Sequence, residues 1–328
     1  MSRPRLGFLG VGWIGRHRME AMLATGAVDA AAIADPSSEC AEQALALAPA
    51  ARVVDGLDGL LGAGVDGIVV ATPSALHAAQ AIRALEAGAA VFCQKPLGRD
   101  RAEARAVVDS ARAADRLLAV DLSYRFTEGA ARIKERVRQG ALGRVYAVDL
   151  VFHNAYGPDK PWFYDAALSG GGCVIDLGVH LVDLALWTLD FPKVAAVSSQ
   201  LLSGGEPLRA GGVEDYAVAS LELEGGASVR LACSWRLPAG RDAIICAALY
   251  GTGGGAALRN VGGSFYDFEA ELYRGTSAET LASPPDEWGG RAAADWARRL
   301  AAGERFDPAA DRLVEVAEVL DRIYGRGA

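Results

Sequence analysis

Three polar residues recur at helical spacing within an apolar segment of the sequence. Asp176, His180 and Asp183 stand at positions i, i+4 and i+7 of residues 174–188, and about 100° of rotation per residue places them on one helix face. Polar groups on a buried helix cost free energy unless they are paired or functional. Because an imidazole can accept or donate a proton near neutral pH, this stripe predicts a proton-transfer site. The glycines of residues 169–172, Ser-Gly-Gly-Gly, would let a ligand lie against the backbone.

Two other interpretations of the stripe are open. A histidine on such a helix is often a core residue whose nitrogens are satisfied by its neighbours. Histidine and carboxylates also bind zinc, but the sequence has no H-E-x-x-H motif and no cysteine cluster, and a third ligand is not evident. We therefore predict no metal at this site.

A second segment with chemical potential is Cys93-Gln94-Lys95-Pro96, which follows the apolar run at residues 89–93. Open α/β sheets bind ligands outside the carboxyl ends of their strands. Lys95 is therefore expected to face the ligand crevice. A solvated loop lysine is the alternative.

The first predicted strand is followed by a glycine-rich turn of the type that binds dinucleotides. Gly10, Gly12 and Gly15 form G-x-G-x-x-G, with Trp13 and Ile14 between the second and third glycines. The first glycine makes the turn, the second lets the backbone approach a pyrophosphate, and the third lets helix and strand pack closely. The helix N-terminus supplies unpaired N–H groups for the phosphates.

An acidic residue stands at the distance that this motif requires. Asp35 follows Gly15 by 20 residues and ends the second predicted strand, where a carboxylate can bind the ribose 2′-hydroxyl. The same charge repels a 2′-phosphate, and residues 36–38 contain no arginine. We therefore predict a dinucleotide site that takes NAD in preference to NADP.

Two further loops, at residues 72–77 and 94–95, are expected at the same ligand edge of the sheet, because they follow neighbouring predicted strands. For the first loop there are two alternatives to a cofactor contact: Thr72 or Ser74 is a plain helix cap, and His77 is a surface histidine. The candidate cofactor contacts in the two loops are Thr72, Pro73, Ser74, His77, Gln94 and Lys95.

The elements that must position these residues fall into two regions. In residues 1–121, short apolar runs alternate with helical patterns, which predicts parallel strands, right-handed crossovers and a doubly wound Rossmann sheet. Residues 122–328 are expected to form a substrate and oligomerisation domain of the α/β class. Its last helix, at about 308–324, is expected to pack back on the first domain.

Consecutive strand-like runs dominate the second region and predict a mostly antiparallel sheet. Residues 274–290, which include Pro284-Pro285, are expected to form an irregular loop. The predicted helices lie near 128–138 and 174–188, and the predicted strands near 145–152, 194–202, 216–223, 227–235, 243–250 and 265–273.

Composition narrows the class of protein further. The chain has 328 residues with 33 Lys and Arg against 41 Asp and Glu, a net charge of −8, which argues against a nucleic-acid or anionic-membrane partner. Five cysteines include no C-x-x-C pair, which favours a reducing compartment. No uncharged run approaches the roughly 18 residues of a membrane span. We expect a soluble cytoplasmic protein.

Taken together, these segments resemble the Gfo/Idh/MocA oxidoreductases, the family of glucose-fructose oxidoreductase and inositol dehydrogenase. The resemblance covers most of the chain. It implies a Rossmann domain followed by an α/β domain with an open-faced, mostly antiparallel sheet, through which members commonly associate as homo-oligomers. The motifs that carry it are Gly10, Gly12 and Gly15, Asp35, Thr72-Pro73-Ser74 with Leu76-His77, Lys95-Pro96, and Gly170-Gly171-Gly172 followed by Asp176, Gly178 and His180.

The resemblance also implies NAD(P)-dependent oxidation of a secondary alcohol on a sugar, cyclitol or similar polyol, with Lys95, Asp176 and His180 as the catalytic set. As a hypothesis for the mechanism, His180 is the general base in oxidation and the acid in reduction. Asp176 would orient the substrate, and Lys95 would hydrogen-bond the reacting oxygen. Lys95 and His180 are thus expected to face the same nicotinamide ring.

Two positions depart from the family pattern, in which a glutamate usually precedes Lys-Pro and Trp-Arg often precedes the glycine triplet. The corresponding residues here are Gln94 and Phe163, the latter after Trp162. The residues expected to line the substrate pocket, besides Asp176 and His180, are Arg125, His153 and Trp162, with Tyr124, Tyr156 and Lys160 as further candidates. Each of these residues also has a purely structural alternative. Arg125 could be an ion-pair partner, and the aromatic residues could be core residues.

Two other functions fit the same motifs. One is an NAD-dependent glycosidase of the same fold, which oxidises its substrate transiently and leaves no net NADH. The other is a protein that senses a dinucleotide without turnover. The set of Lys95, Asp176 and His180 argues against the sensor, which has no need of it.

Overall fold

A computed structural model describes residues 3–326 of the chain. The chain divides into two units. The first unit comprises the residues up to Asp121 together with Gly290–Glu315, and the second comprises Leu122–Gly289 together with the residues from Val316 onward.

The first unit contains one parallel sheet of six strands. Its strand order is β3-β2-β1-β4-β5-β6, the doubly wound order of dinucleotide-binding folds, so the Rossmann prediction is confirmed. The elements up to Asp121 are β1 (Arg5–Leu9), α1 (Trp13–Ala24), β2 (Asp29–Ala34), α2 (Ser38–Leu47), β3 (Arg52–Val53), α3 (Gly56–Gly62), β4 (Gly67–Val70), α4 (Ser74–Glu86), β5 (Ala90–Cys93), α5 (Arg101–Ala114) and β6 (Leu118–Val120).

Two neighbouring strands of this sheet, β4 and β5, are buried along their whole length. Every residue of β4 and of β5 is buried, which is why the sequence shows continuous apolar runs here instead of alternation. All six strands end at the same edge because they are parallel. The turn after β1 and the loops after β2, β4 and β5 are therefore neighbours at that edge.

The second unit contains a mixed sheet of nine strands. Its order is β15-β14-β13-β12-β7-β11-β10-β8-β9. Among the residues that the structure describes, β7 and β11 pair in parallel, and all other neighbouring strands of this sheet pair antiparallel. The prediction of a mostly antiparallel sheet is confirmed. The elements are α6 (Glu128–Arg138), β7 (Val145–Asn154), α7 (Ala166–Ser169), α8 (Val179–Thr188), β8 (Val194–Ser203), β9 (Glu206–Pro207), β10 (Tyr216–Leu223), β11 (Ser228–Ser234), β12 (Ala243–Gly251), β13 (Gly255–Asn260), β14 (Phe268–Arg274) and β15 (Ser277–Ala282).

The alternation of side chains along β7 separates the two faces of this sheet. Val148, Leu150 and Phe152 are buried on the face that packs against α8. Asp149 and His153, at the odd positions, point to the opposite, open face. On the open face Arg230 of β11 forms a bidentate ion pair with Asp149, its donors lying 2.8 and 2.9 Å from the carboxylate oxygens.

The expectation of an irregular loop at residues 274–290 is wrong for its first part. Ser277–Ala282 forms β15, which pairs antiparallel with β14 across the tight turn at Gly275. The strand β13, which follows Gly253-Gly254, is also absent from the strands predicted from the sequence. Both strands are short. The first four residues of β13 are all buried and the first four of β15 are all exposed, so neither shows the alternation that marks a strand.

The segment predicted as one helix at 174–188 has two parts. Val174–Gly178 forms a π-helical turn, and α8 continues from Val179 to Thr188. The wider π turn changes the angle between Asp176 and the residues that follow, so the three polar residues do not share one regular α-helical face. Turns of this type are frequent at functional sites.

Residues 166–188 are long and apolar enough to cross a membrane by length and composition alone. However, 83% of the most apolar window is buried inside the structure, and it carries Asp176, His180 and Asp183. Burial of this kind is typical of a core helix. The segment gives no support to a membrane span.

Two helices close the chain, α9 (Arg291–Ala301) and α10 (Asp311–Ile323). A short 3₁₀ helix at Pro308–Ala310 leads into α10, and the Asp307 side chain caps it by accepting a hydrogen bond from the Ala309 N–H at 2.9 Å. The division between the units falls within α10, after Glu315.

Candidate active site

The glycine turn of the first unit has the geometry that a dinucleotide requires. Gly10 has a φ of +84°, and a Cβ atom there would lie 2.5 Å from the carbonyl oxygen of Ala71. A Cβ on Gly15 would overlap the Gly10 carbonyl. At Gly12, in contrast, no described atom lies within 4 Å of the Cβ position, so the backbone stands open to a ligand. These residues fit the pyrophosphate of a bound dinucleotide.

Asp35 is fixed beside this turn by backbone donors. Its Oδ2 accepts a hydrogen bond from the Val11 N–H at 2.7 Å, and its Oδ1 accepts one from the Ser37 N–H at 2.9 Å. The carboxylate therefore sits at the end of β2 in one orientation. That placement fits a ribose hydroxyl as a further donor.

The two other residues of the turn differ in exposure. Trp13 begins α1 and is 60% exposed, and its ring stacks on His17 with a centroid distance of 5.9 Å. Ile14 is half-buried. A large apolar side chain with this exposure, next to the open backbone of Gly12, is available to a ligand.

The alternatives proposed for the loop after β4 are both wrong. No described side chain caps α4, whose N-cap is Pro73. The Thr72 hydroxyl donates to the Gln80 side chain at 2.6 Å instead, and Ser74 is buried. His77 is buried rather than on the surface.

His77 connects the two loops that follow β4 and β5. Its ring nitrogens lie 2.7 Å from the carbonyl oxygens of Thr72 and Pro96. Burial lowers the pKa of His77. With both nitrogens against backbone carbonyls, the ring fixes the loop that carries Lys95 and is not itself presented to a ligand.

Gln94 and Lys95 differ in burial. The Gln94 amide is buried and donates at 2.9 Å to Oδ2 of Asp121, which also accepts from Nε of Arg18 at 2.6 Å. Gln94 is therefore part of a buried polar network of the first unit. Lys95 is half-buried at the ligand edge. Asp121 and Arg18 were not singled out in the sequence, where nothing distinguishes them.

In the second unit, Asp176 lies in the π turn and is held by an indole. Nε1 of Trp235 donates to Oδ2 of Asp176 at 3.0 Å. Trp235 is buried and follows β11. Phe163 and Tyr164 lie edge-on to its ring, with centroid distances of 6.3 and 5.6 Å. Trp235 gives no local signal in the sequence, because it is 59 residues from its partner.

His180 lies in an aromatic environment. Its ring centroid is 4.8 Å from that of Tyr124 and 6.4 Å from that of Phe152. Trp288 packs on the other side of Tyr124 at 4.9 Å. Burial raises the pKa of Tyr124, so its hydroxyl stays protonated. Asp176 and His180 thus combine a fixed carboxylate and an imidazole on one continuous segment, which suits proton transfer to or from a hydroxyl.

Asp183, the third member of the predicted stripe, has a structural role. It is 2% exposed and forms a bidentate ion pair with Arg125, whose Nε lies 2.7 Å from Oδ2. The guanidinium also packs over the rings of Trp187 and Phe191. The ion-pair alternative describes these contacts of Arg125.

The other predicted substrate residues are not all brought together. His153 points to the open face of the sheet, where its Nδ1 lies 2.8 Å from the Ser234 hydroxyl, while the neighbouring Phe152 points to His180. The structure therefore separates His153 from His180. Trp162 stacks on Phe163 at 3.8 Å, and Phe163 contacts Trp235, the residue that binds Asp176. Trp162 is therefore connected to Asp176 through these two aromatic rings.

Tyr156 and Lys160 lie in the exposed loop after β7. The Tyr156 hydroxyl donates to Asp242 at 2.6 Å, and the Lys160 ammonium lies 3.1 Å from Asp159. Both contacts are with acidic side chains of the surface. Neither residue is linked to Asp176 or His180 by a described contact.

The glycine triplet before the π turn has a different partner from the one expected. A Cβ on Gly171 would overlap the Tyr324 hydroxyl, and a Cβ on Gly172 would overlap the carbonyl of Glu214. These two glycines therefore make room for other parts of the chain rather than for a ligand. Neither Glu214 nor Tyr324 carries a signal in the sequence.

Within the described residues, no cluster of histidine, cysteine and carboxylate side chains is suited to a metal ion.

The fold and the glycine turn define the class: a Rossmann-type dinucleotide-binding protein with a second α/β unit. Residues 5–122 match the family described as "Oxidoreductase family, NAD-binding Rossmann fold", and residues 130–257 match the "GFO/IDH/MocA C-terminal domain". The chain belongs to the GFO/IDH/MocA oxidoreductase family.

Individual relatives agree with this assignment. D-glucoside 3-dehydrogenase of Escherichia coli (strain K12) is 29% identical over 68% of this chain and 64% of its own length. The putative UDP-kanosamine synthase oxidoreductase subunit of Amycolatopsis mediterranei (strain S699) is 32% identical over 78% of this chain and 75% of its own. The chain thus spans slightly less than two thirds of the first of these relatives.

Several solved structures match the chain along its length, and one of them was determined with NAD. The crystal structure of GenD2 from gentamicin A biosynthesis in complex with NAD is 28% identical, with a TM-score of 0.82, and the match covers 99% of this chain and 94% of that one. The fold of both units is therefore the fold of a protein that binds NAD.

Proposed function

We propose that this protein is an NAD-dependent oxidoreductase that transfers a hydride between nicotinamide and a secondary alcohol or ketone of a sugar, cyclitol or similar polyol. The observation that carries the proposal is the pairing of Asp176 with Trp235 one helical turn from His180, in a chain whose first unit is an NAD-binding Rossmann fold. The names of its relatives, which are sugar oxidoreductases, support the substrate class.

NAD, when bound, supplies the acceptor for the hydride. Gly10, Gly12 and Gly15 would hold its pyrophosphate, and Asp35 its ribose. Because Asp35 is fixed by two backbone N–H groups, its negative charge cannot turn away from a 2′-phosphate. This supports NAD as the preferred cofactor over NADP.

His180 takes the proton of the substrate hydroxyl in oxidation and returns it in reduction. Asp176, held by Trp235, accepts a hydrogen bond from the reacting or a neighbouring hydroxyl. Lys95 donates to the reacting oxygen and stabilises the negative charge that develops there. Trp162, beside Phe163 and Trp235, would offer an apolar surface to the C–H face of the ring.

The assembly and location follow the family resemblance. We propose a homo-oligomer that associates through the open face of the nine-stranded sheet, which carries the ion pair of Asp149 and Arg230 and the His153 ring. All five cysteines are unpaired, which supports a cytoplasmic location.

The test begins with a screen of inositols, aldoses, glycosides and nucleotide sugars with NAD, read by nicotinamide absorbance. His180→Ala is expected to lower turnover of the best substrate by about 10²–10⁴-fold, while NADH binding, read by fluorescence titration, persists. His153→Ala is the matched control, because this histidine lies on the opposite sheet face. With its subunit assembly checked by size-exclusion chromatography, it should keep wild-type turnover.

The outcomes separate the competing functions. Cleavage of a chromogenic glycoside without net NADH would show a glycosidase. NADH binding without turnover of any compound in the screen would show a sensor. Wild-type turnover in His180→Ala would remove His180 from the mechanism.

A further inference from the structure

A buried carboxylate lies against the segment that carries Asp176. Glu214, which is 0% exposed, accepts hydrogen bonds from the N–H groups of Gly172 and Val174 at 3.0 and 2.9 Å. Its backbone carbonyl accepts another from the Cys173 N–H at 3.0 Å. One residue therefore binds three successive N–H groups at the start of the π turn.

Tyr324, which follows α10, completes this arrangement. Its hydroxyl donates to Oε1 of Glu214 at 2.7 Å and accepts from the Ile175 N–H at 3.2 Å. Burial raises the pKa of Tyr324, so the hydroxyl stays protonated. Burial also raises the pKa of Glu214, and the bonds from the Val174 N–H and the Tyr324 hydroxyl partly offset that shift.

The close approach of both residues depends on the glycines at 171 and 172. A side chain at Gly171 would displace the Tyr324 hydroxyl, and one at Gly172 would displace the backbone of Glu214. The Asp176 N–H donates to the Gly172 carbonyl at 3.1 Å. The backbone segment that Glu214 binds is therefore hydrogen-bonded directly to the backbone of Asp176.

The segment is thus held at two places. Glu214 and Tyr324 bind its backbone at residues 172–175, and Trp235 binds the Asp176 side chain. A displacement of about 1 Å in a reacting group can lower a rate by 10²-fold. Contacts that fix this backbone can therefore contribute to catalysis without touching the substrate.

We propose that Glu214 and Tyr324 are positioning residues for Asp176 and His180, which they fix through the backbone of the π turn. The proposal rests on the proposed function, in which Asp176 and His180 act on the substrate. Its first claim, that the pair holds the turn, concerns only the folded chain. Its second claim, that this hold sets the rate, concerns turnover.

The first claim is tested by amide hydrogen exchange on Tyr324→Phe. Loss of the hydroxyl removes an acceptor from the Ile175 N–H and a donor from Glu214, and exchange at residues 172–175 should rise about tenfold. Tyr273→Phe is the matched control, since Tyr273 also donates to a glutamate, Glu271, at 2.8 Å, but on β14. The control should leave exchange at residues 172–175 unchanged.

The second claim is tested by kinetics on the best substrate of the screen. Tyr324→Phe is expected to lower kcat by about 10–100-fold with an unchanged KM for NAD, whereas Tyr273→Phe keeps wild-type kcat. Glu214→Gln places an amide among three donors and should lower kcat further. Glu214→Asp, which keeps the charge, should recover part of the loss.

The two arms fail separately. Unchanged exchange at residues 172–175 in Tyr324→Phe would overturn the hold on the turn whatever the enzyme does. Faster exchange with wild-type kcat would overturn the positioning role. If the wild-type protein turns over no polyol, the proposed function fails and the positioning role with it, while the exchange result still decides the hold.

Discussion

The indole N–H of Trp235 lies 3.0 Å from Oδ2 of Asp176, which joins the end of β11 to the π turn before α8. The bond holds one oxygen of the half-buried Asp176 carboxylate in place, and a carboxylate held in this way does not need to reorganise when a hydroxyl binds to it. Preorganised groups of this kind account for much of the rate enhancement in enzymes.

Trp235→Phe is expected to lower kcat by about 10–100-fold, because a hydrogen bond to a charged group is worth about 1.5–3 kcal/mol and its loss lets Asp176 rotate. Trp296→Phe is the matched control. Its indole is also buried, but it lies on α9 in the first unit, where it packs against Phe92 with a centroid distance of 5.8 Å. Both variants should lose similar thermal stability, and only Trp235→Phe should lose turnover by this factor. Equal kinetics in the two variants would contradict the role given to Trp235.

The ion pair of Arg125 and Asp183 makes a prediction about stability. Arg125→Met leaves the Asp183 carboxylate buried and unpaired, which costs about 3–5 kcal/mol, and the midpoint of thermal unfolding should fall by several degrees. Arg138→Met is the control, because Arg138 is also bidentate on a carboxylate, that of Glu135, but its side chain is 66% exposed and lies on α6. Its loss should change the midpoint little, because exposed ion pairs contribute little to stability. Similar melting temperatures would show that the buried pair contributes little.

The sequence predicts the first unit well because its signals are local. The spacing of Gly10, Gly12 and Gly15 and the position of Asp35 each follow from one short segment and one rule of backbone geometry. The apolar runs of β4 and β5 are continuous because both faces are covered. Such features can be predicted from the sequence without knowledge of the residues that pack against them.

The second unit shows the limit of such reasoning. The spacing of Asp176, His180 and Asp183 suggested one functional stripe, but Asp183 pairs with Arg125 from the segment before α6, 58 residues away. The sequence predicts a loop where β15 forms, because the exposed residues of this strand do not alternate with buried ones. Neither fact is encoded in the segment where it appears.

The residues that the sequence missed share one property. Trp235 is 59 residues from Asp176, and Glu214 is 42 residues from Gly172 and 110 from Tyr324. A buried hydrogen bond over such a distance leaves no local spacing to recognise. Only the glycines at 171 and 172 carry a signal. In the sequence alone, the close approach of a ligand explains these glycines as well as the approach of Glu214 and Tyr324 does.

Asp35→Ser should change the choice of cofactor. The serine removes the carboxylate that would bind the ribose hydroxyl and repel a 2′-phosphate, so NADH affinity should fall by about tenfold or more, and NADPH affinity should rise. Fluorescence titration with both reduced cofactors measures the ratio. An unchanged ratio would show that Asp35 does not read the ribose.

Gln94→Glu tests the buried network around Asp121 through its dependence on pH. The new carboxyl would lie beside Oδ2 of Asp121, which Gln94 now contacts at 2.9 Å, and the neighbouring negative charge and burial should raise the pKa of the new glutamate in the folded state above its unfolded value of about 4.3. Below that value the carboxyl is protonated in both states and can donate as the amide does. The variant should therefore approach wild-type stability at low pH and lose stability as pH rises through the folded-state pKa.

The matched control for this variant is Gln43→Glu. Gln43 also donates to a carboxylate, Glu39, at 3.3 Å, but on the exposed face of α2, where solvent screens the added charge. Urea unfolding at several pH values should show a growing deficit for Gln94→Glu between about pH 4 and pH 7 and a nearly constant one for Gln43→Glu. Parallel curves for the two variants would mean that Arg18 neutralises Asp121 so fully that position 94 experiences no negative charge. A glutamine at position 94 would then have no electrostatic reason to be there.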